Sequence, residues 1–287
     1  MGMKPMTPLP KQTWMWMVAF LIFAYWFGSR FLAYSLKRAV ESFEPASATP
    51  VIPLHIYQTW HTKKLPERMQ EWVDKLQRMN PEFTHHLYDD ADCEQFIRKH
   101  YGEDVAKAYT TLVPEAYKAD LWRYCVLHQN GGIYLDVKFC TIGSVRLSEL
   151  VDKEYFVRDT EVSTGGVANG FMVCRPGNPK LWNCIQRIVE NVKNRFYGDN
   201  PLEPTGPLCL KREFTEDELS EMRREMELKV SGDGVNQNLE IVWNGRPILE
   251  AYKGYYQSDN RNDSQNYYAN KWKNRTMYGE SPADPVS

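Results

Sequence analysis

The segment that most constrains the fold runs from Glu115 to Val137, "EAYKADLWRYCVLHQNGGIYLDV". Its first part, through Gln129, predicts a helix that follows Pro114 and closes at Asn130-Gly131-Gly132, residue types that take the left-handed backbone of a helix C-terminus. An apolar strand, "IYLDV", leaves that stop with no linker and brings Asp136 to its far end. A helix that turns directly into an apolar strand points to a sheet covered by helices.

The flanking sequence continues the alternation. "IPLHIYQTW", Ile52 to Trp60, reads as a strand, and Pro66 starts a helix whose apolar stripe is Met69, Trp72, Val73, Leu76 and Met79, ended by Asn80-Pro81. "HHLYDD" predicts a second strand delivering two acids. Asp92 or a neighbour then caps a helix through "CEQFIRKHYG", and another helix covers Glu103 to Leu112. Further on, "NGFMVCR" reads as a strand. Leu181, Ile185, Ile188, Val189, Val192 and Phe196 mark an amphipathic helix after Pro179, and Asn244-Gly245 between two apolar runs signals a hairpin. With 287 residues, 43% of them hydrophobic, the chain is long enough for one sizeable α/β core with a mostly parallel sheet.

"WMWMVAFLIFAYWFGSRFLAYSL", Trp14 to Leu36, is long enough as a helix to span a hydrocarbon core of ~30 Å, and predicts a transmembrane anchor over residues 14–36. Its rival is a cleaved signal peptide, whose apolar core would be ~7–15 residues ending at small residues. A tail over residues 1–13 precedes the anchor, a small, polar, proline-containing stem over residues 37–50 follows it, and the domain occupies residues 51–287. Lys4 and Lys11 precede the span while Arg30, Lys37 and Arg38 end or follow it, so the charge count does not favour a lumenal C-terminus. Two glycosylation triplets, at Asn262 and Asn274, fit a lumenal domain. The 35 basic and 37 acidic residues are interspersed without a basic stripe, which excludes nucleic acid as a partner. The six cysteines lack Cys-x-x-Cys spacing and read as buried thiols rather than a zinc site.

Asp120 and Arg123 are three apart on the helix and share a face with Tyr124 and Leu127. Alone they would be a surface ion pair; just upstream of a strand end in an α/β sheet they are candidates for ligand binding. Asp136 could hold a divalent cation against a nucleotide diphosphate or be a simple edge residue. By the period of two, Lys138 lies on the same strand face as Asp136 if the strand continues, where an ammonium can meet phosphate oxygens directly. "STGGVANGFMV" around Asn169 reads as a glycine-rich loop entering a strand, and "PTGPL", Pro204 to Leu208, as a rigid turn; each is a ligand approach or a plain turn. Trp60 and Trp272 are core residues or stacking platforms.

In this order and at these distances, "IPLHIYQTW", "NPEFTHHLYDD", "YKADLWRYCVLHQNGGIYLDVK", "NGFMVCRPGNPKL" and "PTGPL" resemble the DXD-containing sugar transferases of glycosyltransferase family 32, which include fungal Golgi mannosyltransferases. The central motif is similar to that of the large glucosylating bacterial toxins. The resemblance covers the chain from about Ile52 to about Leu210. It implies a GT-A type nucleotide-sugar-binding fold and retaining transfer of a hexose or N-acetylhexosamine from a UDP- or GDP-sugar, usually with Mn²⁺. The acceptor would be a glycan, glycolipid or glycoprotein. The protein would be a single-pass type II membrane protein of the Golgi or endoplasmic reticulum, with its catalytic domain in the lumen.

Carried over by motif, Gln58, Thr59 and Trp60 would lie by the nucleotide base and Asp120 and Arg123 would hold the ribose and donor sugar. Gly131 and Gly132 would belong to the donor-binding turn, Tyr134 and Asp136 would sit beside sugar and metal, and Asn169 would lie near the reacting centre. Trp272, in a tail that looks like the family's C-terminal lid, would close over the diphosphate. Lys138 departs from the pattern, because it replaces the second metal-binding acid. Either Asp136 holds the metal with the diphosphate and a late residue such as Asp233 or Asn270, or Lys138 carries part of the metal's charge. The catalytic set implied is therefore Asp120, Arg123, Asp136, Lys138 and Asn169. The alternative function is a membrane-tethered sugar- or nucleotide-binding protein that lost catalysis at Lys138.

Overall fold

The computed structural model describes residues 51–159, 165–232, 238–252 and 267–279. The expected anchor and stem, Asp233 and the triplet at Asn262 lie outside them, and among the described residues no helix is long and apolar enough to cross a membrane.

In chain order the first half runs β1 (His55–Thr59), α1 (Glu67–Met79), β2 (Thr84–Tyr88), α2 (Asp90–Tyr101), α3 (Glu103–Thr111), α4 (Glu115–Asn130) and β3 (Gly132–Leu135). The second half runs β4 (Phe139–Thr141), β5 (Tyr155–Asp159), β6 (Gly166–Cys174), α5 (Pro179–Lys193), α6 (Pro207–Lys211), α7 (Glu216–Glu225), β7 (Met226–Ser231), β8 (Asn238–Trp243), β9 (Arg246–Ala251) and α8 (Tyr268–Lys273). The strands form one sheet in the order β2-β1-β3-β6-β5-β7-β8-β9-β4. The sheet is mixed, which corrects the expected mostly parallel one. β1 runs parallel to β2 and β3, and β5 to β7, whereas the remaining five pairings are antiparallel. Helical crossovers, which parallel neighbours require, link β1 to β2 and β2 to β3 in the first half; the second half is dominated by hairpin and edge pairings.

Local chemistry explains the boundaries. The Asp89 side chain accepts from Asp92 N at 2.9 Å and the Asp92 carboxylate accepts from Asp89 N at 3.2 Å, so acids at the end of β2 form a capping box for α2. Gly131 caps α4 at φ +65, and a Cβ there would come within 2.6 Å of the Pro176 ring. Asn244 and Gly245 both have positive φ and close the β8–β9 hairpin.

Helices α2 to α5 cover one face of the sheet, packing on Tyr57, Tyr134 and Met172. Leu76 of α1 and a short 3₁₀ turn at Leu147–Leu150 pack with Ile56, Ile133, Leu135 and Phe171 on the other. All six cysteines are buried free thiols. β2 and β3 flank β1, so the order reverses there, and the carboxyl ends of β1 and β3 mark the place where open α/β sheets bind ligands.

Candidate active site

Asp136 follows the last residue of β3. Its N–H donates to Gly170 O at 2.9 Å, and its carbonyl accepts from Phe139 N at 2.9 Å. The strand therefore does not continue: Asp136–Phe139 is a tight turn, and it folds Lys138 back until Nζ lies 2.9 Å from Asp136 Oδ2. The two side chains meet as the sequence predicts, but through a turn rather than a shared strand face.

The other carboxylate oxygen, Oδ1, accepts from Tyr134 OH at 2.9 Å and lies 3.3 Å from Arg123 NH1. Arg123 is buried on α4 and joins Asp120, Tyr134, Asp136 and Asn169. Its NH2 is 3.4 Å from Asp120 Oδ1, its NH1 donates to Asn169 O at 2.8 Å, its Nε donates to Ala119 O at 3.0 Å, and its guanidinium lies 4.5 Å from the Tyr134 ring centre. Asp120 is held at both oxygens. Asn169 Nδ2 donates to Oδ1 at 2.8 Å and Thr205 Oγ1 donates to Oδ2 at 2.7 Å. Asn169 Nδ2 also lies 2.8 Å from Tyr124 OH. Gly170 is needed for space, since a Cβ there would come 2.8 Å from Asp136 Oδ2.

These contacts set the charges. Burial pushes the Asp136 carboxyl up, but Lys138 and Arg123 beside it and the hydrogen bond from Tyr134 outweigh burial and bring it down to about 2. Burial dominates at Asp120 and raises its carboxyl above the ordinary range, against Arg123, Thr205 and Asn169. Burial alone would lower Arg123, yet its neighbours, Tyr134 and the two carboxylates among them, raise it further, so it stays charged. Two acids and two bases thus leave the ionised site neutral before a ligand enters.

Asp120, Arg123, Tyr134, Asp136, Lys138 and Asn169 come together in one contact network. Asn169 does so from inside β6, since "GVANG" is strand rather than the loop that its glycines suggest. Thr59 ends β1 and donates to Tyr88 O at 3.1 Å. Trp60 packs against the small cluster that contains Val137, which lies in the Asp136–Phe139 turn. Gln58 is fully buried on the sheet face opposite Tyr57 and Tyr134, and neither of its amide atoms has a hydrogen-bond partner. Gly131 and Gly132 lie at the other end of β3 from Asp136, where a Cβ on Gly132 would come 2.8 Å from His55 O. The Trp272 indole donates to Tyr197 O at 2.6 Å and packs against the main core. Thr205 and Tyr124 complete the cage around Asp120. Tyr124 shares the Asp120 stripe of α4, whereas Thr205 arrives from 85 residues away, in the Pro204–Leu208 turn that the sequence marks as a ligand approach or a plain turn.

A resident divalent cation does not fit the described residues. Among them no three His, Cys, Asp or Glu side chains group as ligands, and both Asp136 oxygens already face donors. A dication on Asp136 Oδ2 would compete with the Lys138 ammonium, which lies 2.9 Å from that oxygen. The place is suited to an ammonium.

Residues 66–157 match the family described as the glycosyltransferase sugar-binding region containing DXD motif. The matched segment contains Asp120, Arg123, Tyr134, Asp136 and Lys138. The chain is 30% identical over 131 residues to an initiation-specific alpha-1,6-mannosyltransferase of Candida albicans, covering 42% of this chain and 32% of that protein. It is 31% identical over 174 residues to inositol phosphoceramide mannosyltransferase 2 of Schizosaccharomyces pombe, covering 60% and 48%. The chain thus spans a third to a half of these relatives. Among solved structures, PaToxG glycosyltransferase aligns at 17% identity and TM-score 0.47, over 56% of this chain and 68% of that one.

Proposed function

We propose that the protein is a membrane-anchored GT-A glycosyltransferase, transferring a hexose from a nucleoside diphosphate sugar to a glycan or glycolipid. The relatives' names favour mannose as the hexose and a glycan or an inositol phosphoceramide as the acceptor. A lumenal, Golgi-type location follows from the same reading. The observation that carries it is the chain of contacts from Asp120 through the buried Arg123 to Asp136, just past the carboxyl end of β3 and within the matched segment.

The reaction is read as retaining, on one face of the sugar. The bond between C1 and the diphosphate oxygen breaks, the acceptor oxygen bonds C1 from the side the diphosphate leaves, and the acceptor proton passes to the departing phosphate. Asp120 and Asn169 orient the sugar. Arg123 is committed to Asp120, Asp136 and Asn169 and serves as the brace that fixes them relative to each other. Lys138, on the rim of this network, supplies positive charge to the diphosphate as it leaves, the kind of pre-aimed stabilisation that contributes most to such steps. Manganese, which the resemblance implies, has no described ligand set here, so no step is assigned to it.

The test is release of free sugar from a panel of UDP- and GDP-sugars by the purified full-length chain, beside Asp136→Ala. Turnover of one donor, lost in the variant, supports the transferase. Nucleotide binding without turnover of any donor would instead favour the sugar- or nucleotide-binding protein.

A further inference from the structure

The turn at Pro204–Pro207 lies outside the matched segment and has no part in the mechanism above. Its Thr205 is 1% exposed, and the hydroxyl is 2.7 Å from Asp120 Oδ2. A Cβ on Gly206 would stand 3.3 Å from the same oxygen, so the turn approaches the carboxylate with its backbone as well.

The turn is itself pinned. Tyr124 OH donates to Thr205 O at 3.2 Å, Asn191 Nδ2 donates to Pro204 O at 2.8 Å, and Tyr117 OH donates to Pro201 O at 2.6 Å. Tyr117, Asp120 and Tyr124 lie on one stripe of α4, so a single helix face both presents the carboxylate and docks the turn that grips it. Rigid proline-flanked backbone would serve for a plain connection. A buried threonine hydroxyl aimed at the site's carboxylate adds something different: it occupies one lone pair, fixes the rotamer, and leaves the remaining lone pairs to a substrate hydroxyl.

We propose that Thr205 is a positioning residue, which holds the Asp120 carboxylate in the one orientation that can accept a hydroxyl of the donor sugar. The inference rests on the transferase reading. Its signature lies in the pH profile as well as in the rate. Asp120 is faced by Arg123, Tyr117 and Tyr124 from α4, by Tyr134 of β3 and by Asp136 just after it, and the bond from Thr205 favours its ionised form. Without that donor Asp120 takes up a proton at higher pH.

The experiment compares Thr205→Val and Thr205→Ser with the wild type in donor hydrolysis across pH, and in calorimetric binding of the free nucleoside diphosphate. The expected result for Thr205→Val is a kcat lower by about ten- to a hundredfold and an acid limb displaced upward, with nucleotide affinity within about twofold, by the usual worth of a hydrogen bond to a charged group. Thr205→Ser should restore both. A Thr205→Val enzyme with wild-type kcat and acid limb would overturn the inference, as would a loss that serine does not rescue or that nucleotide affinity shares. A wild type that hydrolyses no donor overturns the transferase reading and this inference with it, which separates that failure from one confined to Thr205.

Discussion

Lys138→Met keeps most of the side chain's bulk and removes its charge, so it isolates the ammonium that stands where the family motif has an acid. Asp136 falls from the ordinary 3.8 to about 2 in the fold, although burial pushes it the other way. That difference favours the folded, ionised state by roughly 2 kcal/mol. Lys138 is the largest of the attractions responsible, so Lys138→Met should cost about 1 to 2 kcal/mol at pH 7. The sign follows from linkage: a depressed carboxyl stabilises the fold above its unfolded value and loses that contribution as pH falls through the folded one. The gap between wild type and variant in urea unfolding should therefore be open at pH 7 and close as pH approaches 2. Donor turnover by the variant should drop by about 10²- to 10³-fold, as when one preorganised oxyanion donor is removed. An unchanged urea midpoint at pH 7 together with unchanged turnover would refute the role given to Lys138.

Gly131→Ala should destabilise the fold by about 2 kcal/mol or more, because its positive φ and the 2.6 Å approach of a Cβ to Pro176 add together. Urea unfolding measures the loss, and a variant as stable as the wild type would contradict it. The acid limb of turnover should belong to Asp120, whose carboxyl is raised by burial, while Asp136 stays ionised far below it. Turnover that stays level down to pH 4 would refute this.

Local punctuation made the first half of the fold legible. Pro66, the Asp89 and Asp92 acids, Gly131 after α4 and Asn244-Gly245 each act within a few residues, and each marks a boundary found in the structure. Pairings such as β5 with β7 and β4 with β9 join distant segments, and no residue near either strand announces its partner. The site divides in the same way. The spacing of Asp120 and Arg123 and the proximity of Lys138 to Asp136 were readable, whereas the turn that folds Lys138 back depends on Gly170 of β6. Strand alternation puts the Gln58 amide on the face away from Asp120, where it has no hydrogen-bond partner among the described residues.

The central claim is that an ammonium at the Asp-x-Lys turn does the work of charge neutralisation on the departing diphosphate. Donor-sugar hydrolysis by the full-length wild type, measured in EDTA and with added Mn²⁺, tests it most directly. The account predicts that turnover survives in EDTA at a rate close to that with Mn²⁺. Turnover that disappears in EDTA and returns with Mn²⁺ would contradict it.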